Sequence, residues 1–301
     1  RLDGELGMGS GQFGAVGSGL SGLIKTAGIE WPDVFCRFVD LQPEITADTA
    51  ASCILQELLD SDLRIKEVGY SGSGKSGTRR MTVQPKIIRD LTTKNSSKSL
   101  TKKSVFLVSG GARGVTAECV VKLAQTQPCS FILLGRSNIE DEPEWAKGVG
   151  KDKTKLKQAA MKSMVDSGEK PTPAKVNQLV VKVEAGRDIR KNLERIRNAG
   201  GNAEYVSADV TDVKKLKTAI AAVVKKIGPV TGIIHGAGVL ADKLIEKKNS
   251  DDFDAVCSTK INGMDALLKS INPKKLTHLL LFSSAAGFFG NAGQSDYAVA
   301  N

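Results

Sequence analysis

The sequence predicts an α/β protein built on a parallel β-sheet with helices on both faces. Two observations carry that prediction. From residue 105 onward, short apolar runs alternate with amphipathic stretches of helical period, the pattern of strands joined by crossover helices. A glycine cluster, 110–114, stands where the first apolar run hands over to its helix, which is where an open parallel sheet presents a ligand loop.

The elements follow in order. Residues 21–28 and 47–59 have helical patterning, 34–40 and 63–70 are strand-like, and 78–83 can pair as a hairpin. Residues 92–104 are polar and low in complexity, a linker or surface loop. Strand 105–109 then leads to helix 115–125, strand 131–134 and, after a long crossover, strand 205–208. Helix 216–226 stops at Gly228-Pro229, a strong termination signal. Strand 232–235, helix 253–268 and strand 278–282 complete the alternation. The long crossover holds two lysine-rich helical stretches, 151–167 and 175–198, split by Pro171 and Pro173. It reads as a helical insertion over about 137–200 that forms a solvated surface cover.

Composition excludes several classes. The chain has 301 residues, enough for one large domain or two smaller ones, and at 41% hydrophobic and 25% charged it is globular. No apolar stretch reaches the ~18 residues of a membrane helix, and there is no signal peptide. The first residue is Arg1, so the chain reads as part of something longer. Cys36, Cys53, Cys119, Cys129 and Cys257 are scattered, and the only histidines are His235 and His278. No metal site is therefore expected, and the compartment is expected to be reducing and cytoplasmic. The net charge is +10, but with 5% aromatic residues there is little to stack on bases, so nucleic acid is not expected. The charge is read as solvated surface, with a share left for a phosphate-bearing cofactor and an acidic protein partner.

Three glycine motifs compete. Gly69-Tyr70-Ser71-Gly72-Ser73-Gly74-Lys75-Ser76 matches the phosphate-loop pattern. That loop needs a following helix, and Gly77 to Pro85 favours strand instead; a hairpin tip is the better reading. Gly9-Ser10-Gly11-Gln12-Phe13-Gly14 has no strand before it and reads as a loop. Gly110-Gly111-Ala112-Arg113-Gly114 follows a strand directly and opens a helix at Val115. There glycines admit a pyrophosphate close to the backbone and the helix N-terminus supplies positive potential. Strand 131–134 ends in Gly135-Arg136-Ser137 where Asp or Glu would bind a free ribose 2′-hydroxyl. Arg136, with Arg113, instead suits a 2′-phosphate, so NADPH is expected over NADH.

The C-terminal stretch supplies chemistry. An apolar run, 279–282, leads into Ser283 and Ser284, and Tyr297 follows Ser284 by thirteen positions. A strand that delivers a hydroxyl and a helix that delivers a phenol can meet over one carbonyl. Such a pair equips an enzyme that adds hydride to a ketone and protonates the oxygen. Each side chain alone also has an ordinary explanation, since a buried Tyr or Ser finds a hydrogen-bond partner wherever it sits.

Gly110-Gly111, Gly114, Asp209-Val210, His235-Gly236-Ala237-Gly238-Val239, Lys260, Ser284, Tyr297 and Asn301 occur in the order of the short-chain dehydrogenase/reductase superfamily. The chain resembles that superfamily, and within it the ketoreductase domains of modular polyketide synthases and polyunsaturated fatty acid synthases. The resemblance implies a Rossmann-like doubly wound sheet over 96–301. It implies that residues 1–95, with Gly22-Leu23-Ile24-Lys25-Thr26 and Glu30-Trp31-Pro32, are the C-terminal part of a degenerate structural subdomain. It further implies that 96–301 is truncated relative to the family. Thr116 stands where the family's loop often has a further glycine, a change expected to loosen the helix against the strand.

The same resemblance assigns roles. Gly110, Gly111, Arg113, Gly114, Val115, Arg136, Ser137, Asp209, Val210, Gly236, Ala237 and Gly238 would bind the cofactor. Tyr297 would donate the proton, Ser284 would hold the carbonyl oxygen, and Lys260 would stabilise the phenolate. Asn301 would hold a water or Lys260 in a relay, because modular ketoreductases exchange the places of Lys and Asn. Ser283 is expected to be structural and His235 to shape the turn beside the cofactor. The implied substrate is a β-ketoacyl chain on the phosphopantetheine of an acyl carrier protein, with other domains of the same synthase as partners. Leu240-Ala241-Asp242 resembles the Leu-x-Asp signature of enzymes giving the 3R alcohol, and Phe289 stands where the opposite class often has tryptophan. The alternative is a catalytically inert reductase-like scaffold that docks neighbouring domains.

Overall fold

The computed structural model describes residues 2–9, 19–72, 77–85 and 100–301. Most of the 9–14 glycine match, the last four residues (73–76) of the 69–76 match and most of the 92–104 linker lie outside the described residues. The chain forms two compact units: Arg1–Lys94, Gly238–Ile261 and Phe282–Asn301 make one, Asn95–Ala237 and Asn262–Leu281 the other.

The N-terminal elements are α1 (Leu20–Glu30), β1 (Phe38–Leu41), α2 (Ala47–Leu59), β2 (Glu67–Ser71) and β3 (Arg79–Met81). β1 runs parallel to β2, and β3 is antiparallel to β2 with Ser71 opposite Arg79. The expected hairpin is therefore present, and a strand rather than a helix comes after the phosphate-loop match. β1 begins only at Phe38, and the preceding Arg37 turns its side chain into a buried polar cluster. There it donates to Glu57 Oε2 and to the carbonyls of Ile65 and Asp62. Burial pushes the Glu57 carboxyl up, but hydrogen bonds from Arg80, Tyr70 and Arg37 outweigh it and hold the group at about 2. A carboxylate so depressed adds on the order of 3 kcal/mol at neutral pH, lost as pH falls from the unfolded value through 2.

The chain continues through β4 (Val105–Ser109), α3 (Gly114–Thr126), β5 (Ser130–Gly135), α4 (Lys153–Asp166), α5 (Pro173–Asn198), β6 (Asn202–Ser207) and α6 (Val213–Ile227). It ends with β7 (Gly232–His235), α7 (Ser250–Cys257), α8 (Gly263–Lys269), β8 (His278–Leu281), α9 (Ala285–Phe289) and α10 (Ser295–Ala300). Five parallel strands lie in the order β6-β5-β4-β7-β8, within the second unit. All of β4 is buried, as its unbroken apolar run requires of a strand covered on both faces. Chain order reverses between β4 and β7. Open α/β sheets bind ligands beyond the C-terminal ends of strands at such a reversal, so the topology singles out the 110–114 turn.

Two expectations changed. The 253–268 helix is interrupted: α7 and α8 are separated by a π-helical turn at Ser258–Asn262. Such insertions concentrate at functional sites, and this one carries Lys260. The long crossover is also more than a solvated cover. α4 and the first half of α5 bury a small core of Ala146, Leu156, Ala160, Met164, Val176, Val180 and Val183. The second half of α5 buries Ile189, Leu193 and Ile196 and packs against α3 and β6. It serves as the sheet's own crossover helix, which periodicity could not separate from the insertion because both lie on one unbroken 26-residue helix.

Among the described residues no helix is long and apolar enough to cross a membrane.

Candidate active site

Within the second unit, β4 delivers the chain into a turn that demands glycine. Gly110 has φ +67°, and a Cβ there would lie 2.9 Å from the backbone of Gly236 and Ala237. A Cβ at Gly111 would come within 2.4 Å of Val108 Cγ1. The turn is thus pressed between its own strand and the end of β7. Gly114, at φ +66°, faces open space. Arg113, the residue before α3, makes no side-chain cap, which leaves the first N–H groups of the helix to an external acceptor.

The expected loosening at Thr116 does not occur. Thr116 is buried, and its hydroxyl sits where a Cβ of Gly236 would come within 2.3 Å. The close approach that a glycine on the helix usually permits is supplied here by a glycine on the opposing segment. Three further ties hold the turn. Asn192 Nδ2, from α5, donates to Ala112 O at 3.0 Å. Arg195 braces Asn192 and forms a two-pronged pair with Glu118 on α3. Ser109 Oγ accepts from Ala237 N at 3.2 Å and lies 2.6 Å from His235 Nδ1, so His235 shapes the turn as expected.

The end of β5 is cationic. Arg113 and Arg136 are exposed, and Ser137 is half-buried. Tyr205 lies against Gly135 and donates its O–H to Ser137 O at 2.6 Å. Burial pushes the Tyr205 phenol up, while the Arg113 charge acts against it. The Asp209 carboxyl is held low by the Thr211 N–H and hydroxyl, with a contribution from Arg136. Both arginines are therefore within electrostatic reach of the residues at this strand end. Val210 is buried, and a Cβ at Gly263 would come within 2.9 Å of its Cγ1. Open glycine backbone, an uncapped helix and two exposed guanidiniums fit the diphosphate and ribose phosphate of a dinucleotide.

Within the first unit, Lys260, Tyr297 and Gly238 meet. Lys260 is buried, donates from Nζ to Phe282 O at 2.7 Å, and lies 5.9 Å from the centre of the Tyr297 ring. A Cβ at Gly238 would come 3.3 Å from Lys260 Cε and 4.0 Å from Tyr297 Cε2. Burial pulls the Lys260 ammonium below the ordinary lysine value of 10.5. Ser284 caps α9 by accepting from Ala286 N at 3.1 Å, a role that uses a lone pair and leaves its O–H to donate. Asn301 lies one turn after Tyr297 and donates Nδ2 to Tyr297 O, while its Oδ1 is buried with no hydrogen-bond partner among the described residues. Ser283 Oγ donates to Asn301 O at 2.6 Å, the structural role expected of it.

The support around Tyr297 was not legible in the sequence. α1 packs on α9 and α10 so tightly that a Cβ at Gly22 would come within 2.6 Å of Ala298 O. The Glu30 carboxylate accepts from Ile245 N at 2.7 Å and Gly293 N at 2.8 Å. Asp296 is fully buried beside Lys248, whose Nζ lies 2.8 Å from Asp296 Oδ2. That contact is a charge pair whose angles fall short of an aligned hydrogen bond. Deleting one member of such a pair strands the other charge and costs about 3–5 kcal/mol. Lys248 stands in a polar run that reads as surface. Its burial is a tertiary fact.

Residues 104–301 match the KR domain family. A polyunsaturated fatty acid synthase polypeptide of Thraustochytrium sp. is 39% identical over 317 residues, which cover 100% of this chain and 11% of that protein. Polyketide synthase PksN of Bacillus subtilis is 26% identical over 285 residues, 94% of this chain and 4% of that protein. The chain therefore spans a small part of these relatives. A ketoreductase domain from the bacillaene assembly line has a TM-score of 0.63 at 24% identity, over 94% of this chain and 54% of that one. A-type ketoreductases from a modular polyketide synthase give 0.64 at 22%, over 100% and 52%. At these identities the structures establish the Rossmann-like fold.

Proposed function

The chain belongs to the KR domain family, the ketoreductase domains of polyketide and polyunsaturated fatty acid synthases, and we propose that it reduces a β-ketoacyl thioester with NADPH. Bound NADPH supplies the hydride. The Gly110, Gly111, Gly114 and Val115 backbone would hold its pyrophosphate, and Arg113, Arg136 and Ser137 its 2′-phosphate. Asp209, Val210, Gly236, Ala237 and Gly238 complete the binding set.

Tyr297 donates its phenolic proton to the oxygen of the forming alcohol, and Ser284 O–H orients that oxygen. Lys260 stabilises the phenolate left behind, and Asn301 Oδ1 offers an acceptor for the relay that restores the proton. The observation that carries the reading is the meeting of Lys260 and Tyr297 over the side-chain-free Gly238, inside the segment that matches the family. Residues 1–95 serve as the structural part, a role supported by the packing of α1 on α9 and α10; 96–301 is the catalytic part.

The substrate is a chain on the phosphopantetheine of an acyl carrier protein within a cytoplasmic synthase, and the product is the 3R alcohol. The resemblance of Leu240-Ala241-Asp242 to the Leu-x-Asp signature supports that stereochemistry; Asp242 accepts from Gln294 Nε2 at 3.2 and 3.1 Å. The test is NADPH oxidation by the full-length protein with a β-ketoacyl thioester, followed by chiral analysis. NADPH binding without turnover points to the inert scaffold, and a 3S product overturns the stereochemical assignment.

A further inference from the structure

We propose that Lys248 is a positioning residue that holds the 240–242 segment and the Tyr297 helix in one register, and so fixes which face of the ketone is turned toward the hydride donor while Tyr297 protonates the oxygen. The inference deepens the reductase reading and rests on it. Lys248 is almost wholly buried: 5% of its side chain is exposed, and none of Asp296's. One ammonium serves two segments, lying 2.8 Å from Asp296 Oδ2 and donating to Ala241 O at 2.7 Å. The other Asp296 oxygen, Oδ1, accepts the N–H of Tyr297 at 2.8 Å. Ala241, Lys248, Asp296 and the Tyr297 backbone thus form an unbroken chain.

Two peripheral ties run alongside it. Gln294 Nε2 reaches the Asp242 carboxylate, and Lys243 N donates to Gly293 O at 2.9 Å.

The arrangement has a physical need. α10 has six residues, too few to hold its own geometry, because a helix this short is marginal without tertiary support. A rotation of that helix would swing the phenol, and a misplacement near 1 Å can cost roughly 10²-fold in rate. If filling space were the only requirement, an apolar pair would meet it, since buried ion pairs are often replaced by apolar residues at no loss of stability. An apolar side chain cannot hold the Ala241 carbonyl.

That distinction supplies the test. The double substitution Lys248→Met with Asp296→Leu refills the space without stranding a charge. It is compared in the full-length protein with Lys248→Arg, which keeps the charge and its donors, and with Tyr297→Phe. The readouts are kcat, NADPH affinity, thermal midpoint and the 3R to 3S ratio of the product. Positioning predicts a stable double variant with unchanged NADPH affinity, a kcat lowered roughly 10–100-fold and a mixed product, with Lys248→Arg partly restoring both. Wild-type kcat and product purity in the double variant overturn the proposal. So does a fall in kcat tracked by equal losses of NADPH affinity and thermal midpoint, which marks a general structural role. Undiminished turnover in Tyr297→Phe strikes instead at the reductase reading, so the two failures are distinguishable.

Discussion

The glycine turn after β4 and the segment around Tyr297 are shaped by opposite means. The turn is made by crowding: Gly110 and Gly111 leave no room for a Cβ, and Thr116 fills the space that Gly236 vacates. No buried charge is needed to hold its shape. The Tyr297 segment is made by buried polar groups: Lys260 on Phe282 O, Lys248 beside Asp296, and Glu30 across two backbone amides. Crowding rejects added atoms and is indifferent to pH. A charge-built site accepts isosteric replacement sterically, and it responds to protonation. Substrate chemistry needs groups that change charge, whereas cradling a phosphate needs only fixed N–H dipoles.

The largest expected effect sharpens that contrast. Tyr297→Phe removes one oxygen and disturbs no packing, so turnover should fall roughly 10²–10⁴-fold with NADPH affinity unchanged in a fluorescence titration. Gly110→Val should do the reverse. Strain at φ +67° and the clash with Gly236 should weaken NADPH binding roughly ten- to hundredfold, and saturating cofactor should recover much of the rate. A Val variant that binds as well as the parent would show that the turn is not crowded.

Arg136→Ala should lower the preference for NADPH over NADH roughly ten- to hundredfold, the value of one charge-assisted contact. An unchanged preference would remove Arg136 from the site. The smallest effect is a shift in pH profile. Burial lowers the Lys260 pKa below 10.5, and the protonated form is the active one. Activity should therefore fall as pH rises through that lowered value, with the midpoint below that of an ordinary lysine. Lys260→Arg should push this alkaline limb upward, and a limb that does not move would exclude Lys260 from the relay.

Much of this molecule was legible from local pattern. Each apolar run from 105 onward became a strand, the Gly228 stop ended α6, and Asp212 caps that helix through Lys215 N. The glycine motifs at 69–76 and 110–114 were separable by the element that comes next in the chain. β4 leads into α3, whereas β2 is succeeded by the antiparallel β3, so the letters of a phosphate loop at 69–76 lack the helix that gives them their chemistry. The break in the 253–268 helix was not legible, because a π-turn leaves the apolar period almost intact. Lys248, Asp296, Asn192 and Glu30 were equally hidden, since a charged or polar side chain carries no sequence mark of burial.

The order of strands and helices, the glycine turn and the serine–tyrosine spacing were determined by the sequence itself, because each rests on interactions among residues close along the chain. Which acid receives Lys248, how Gly236 compensates for Thr116, and which carboxylate ties Ile245 to Gly293 were decided only on folding. Those contacts join residues far apart in the chain, and their energies exist only once water has been excluded from between them.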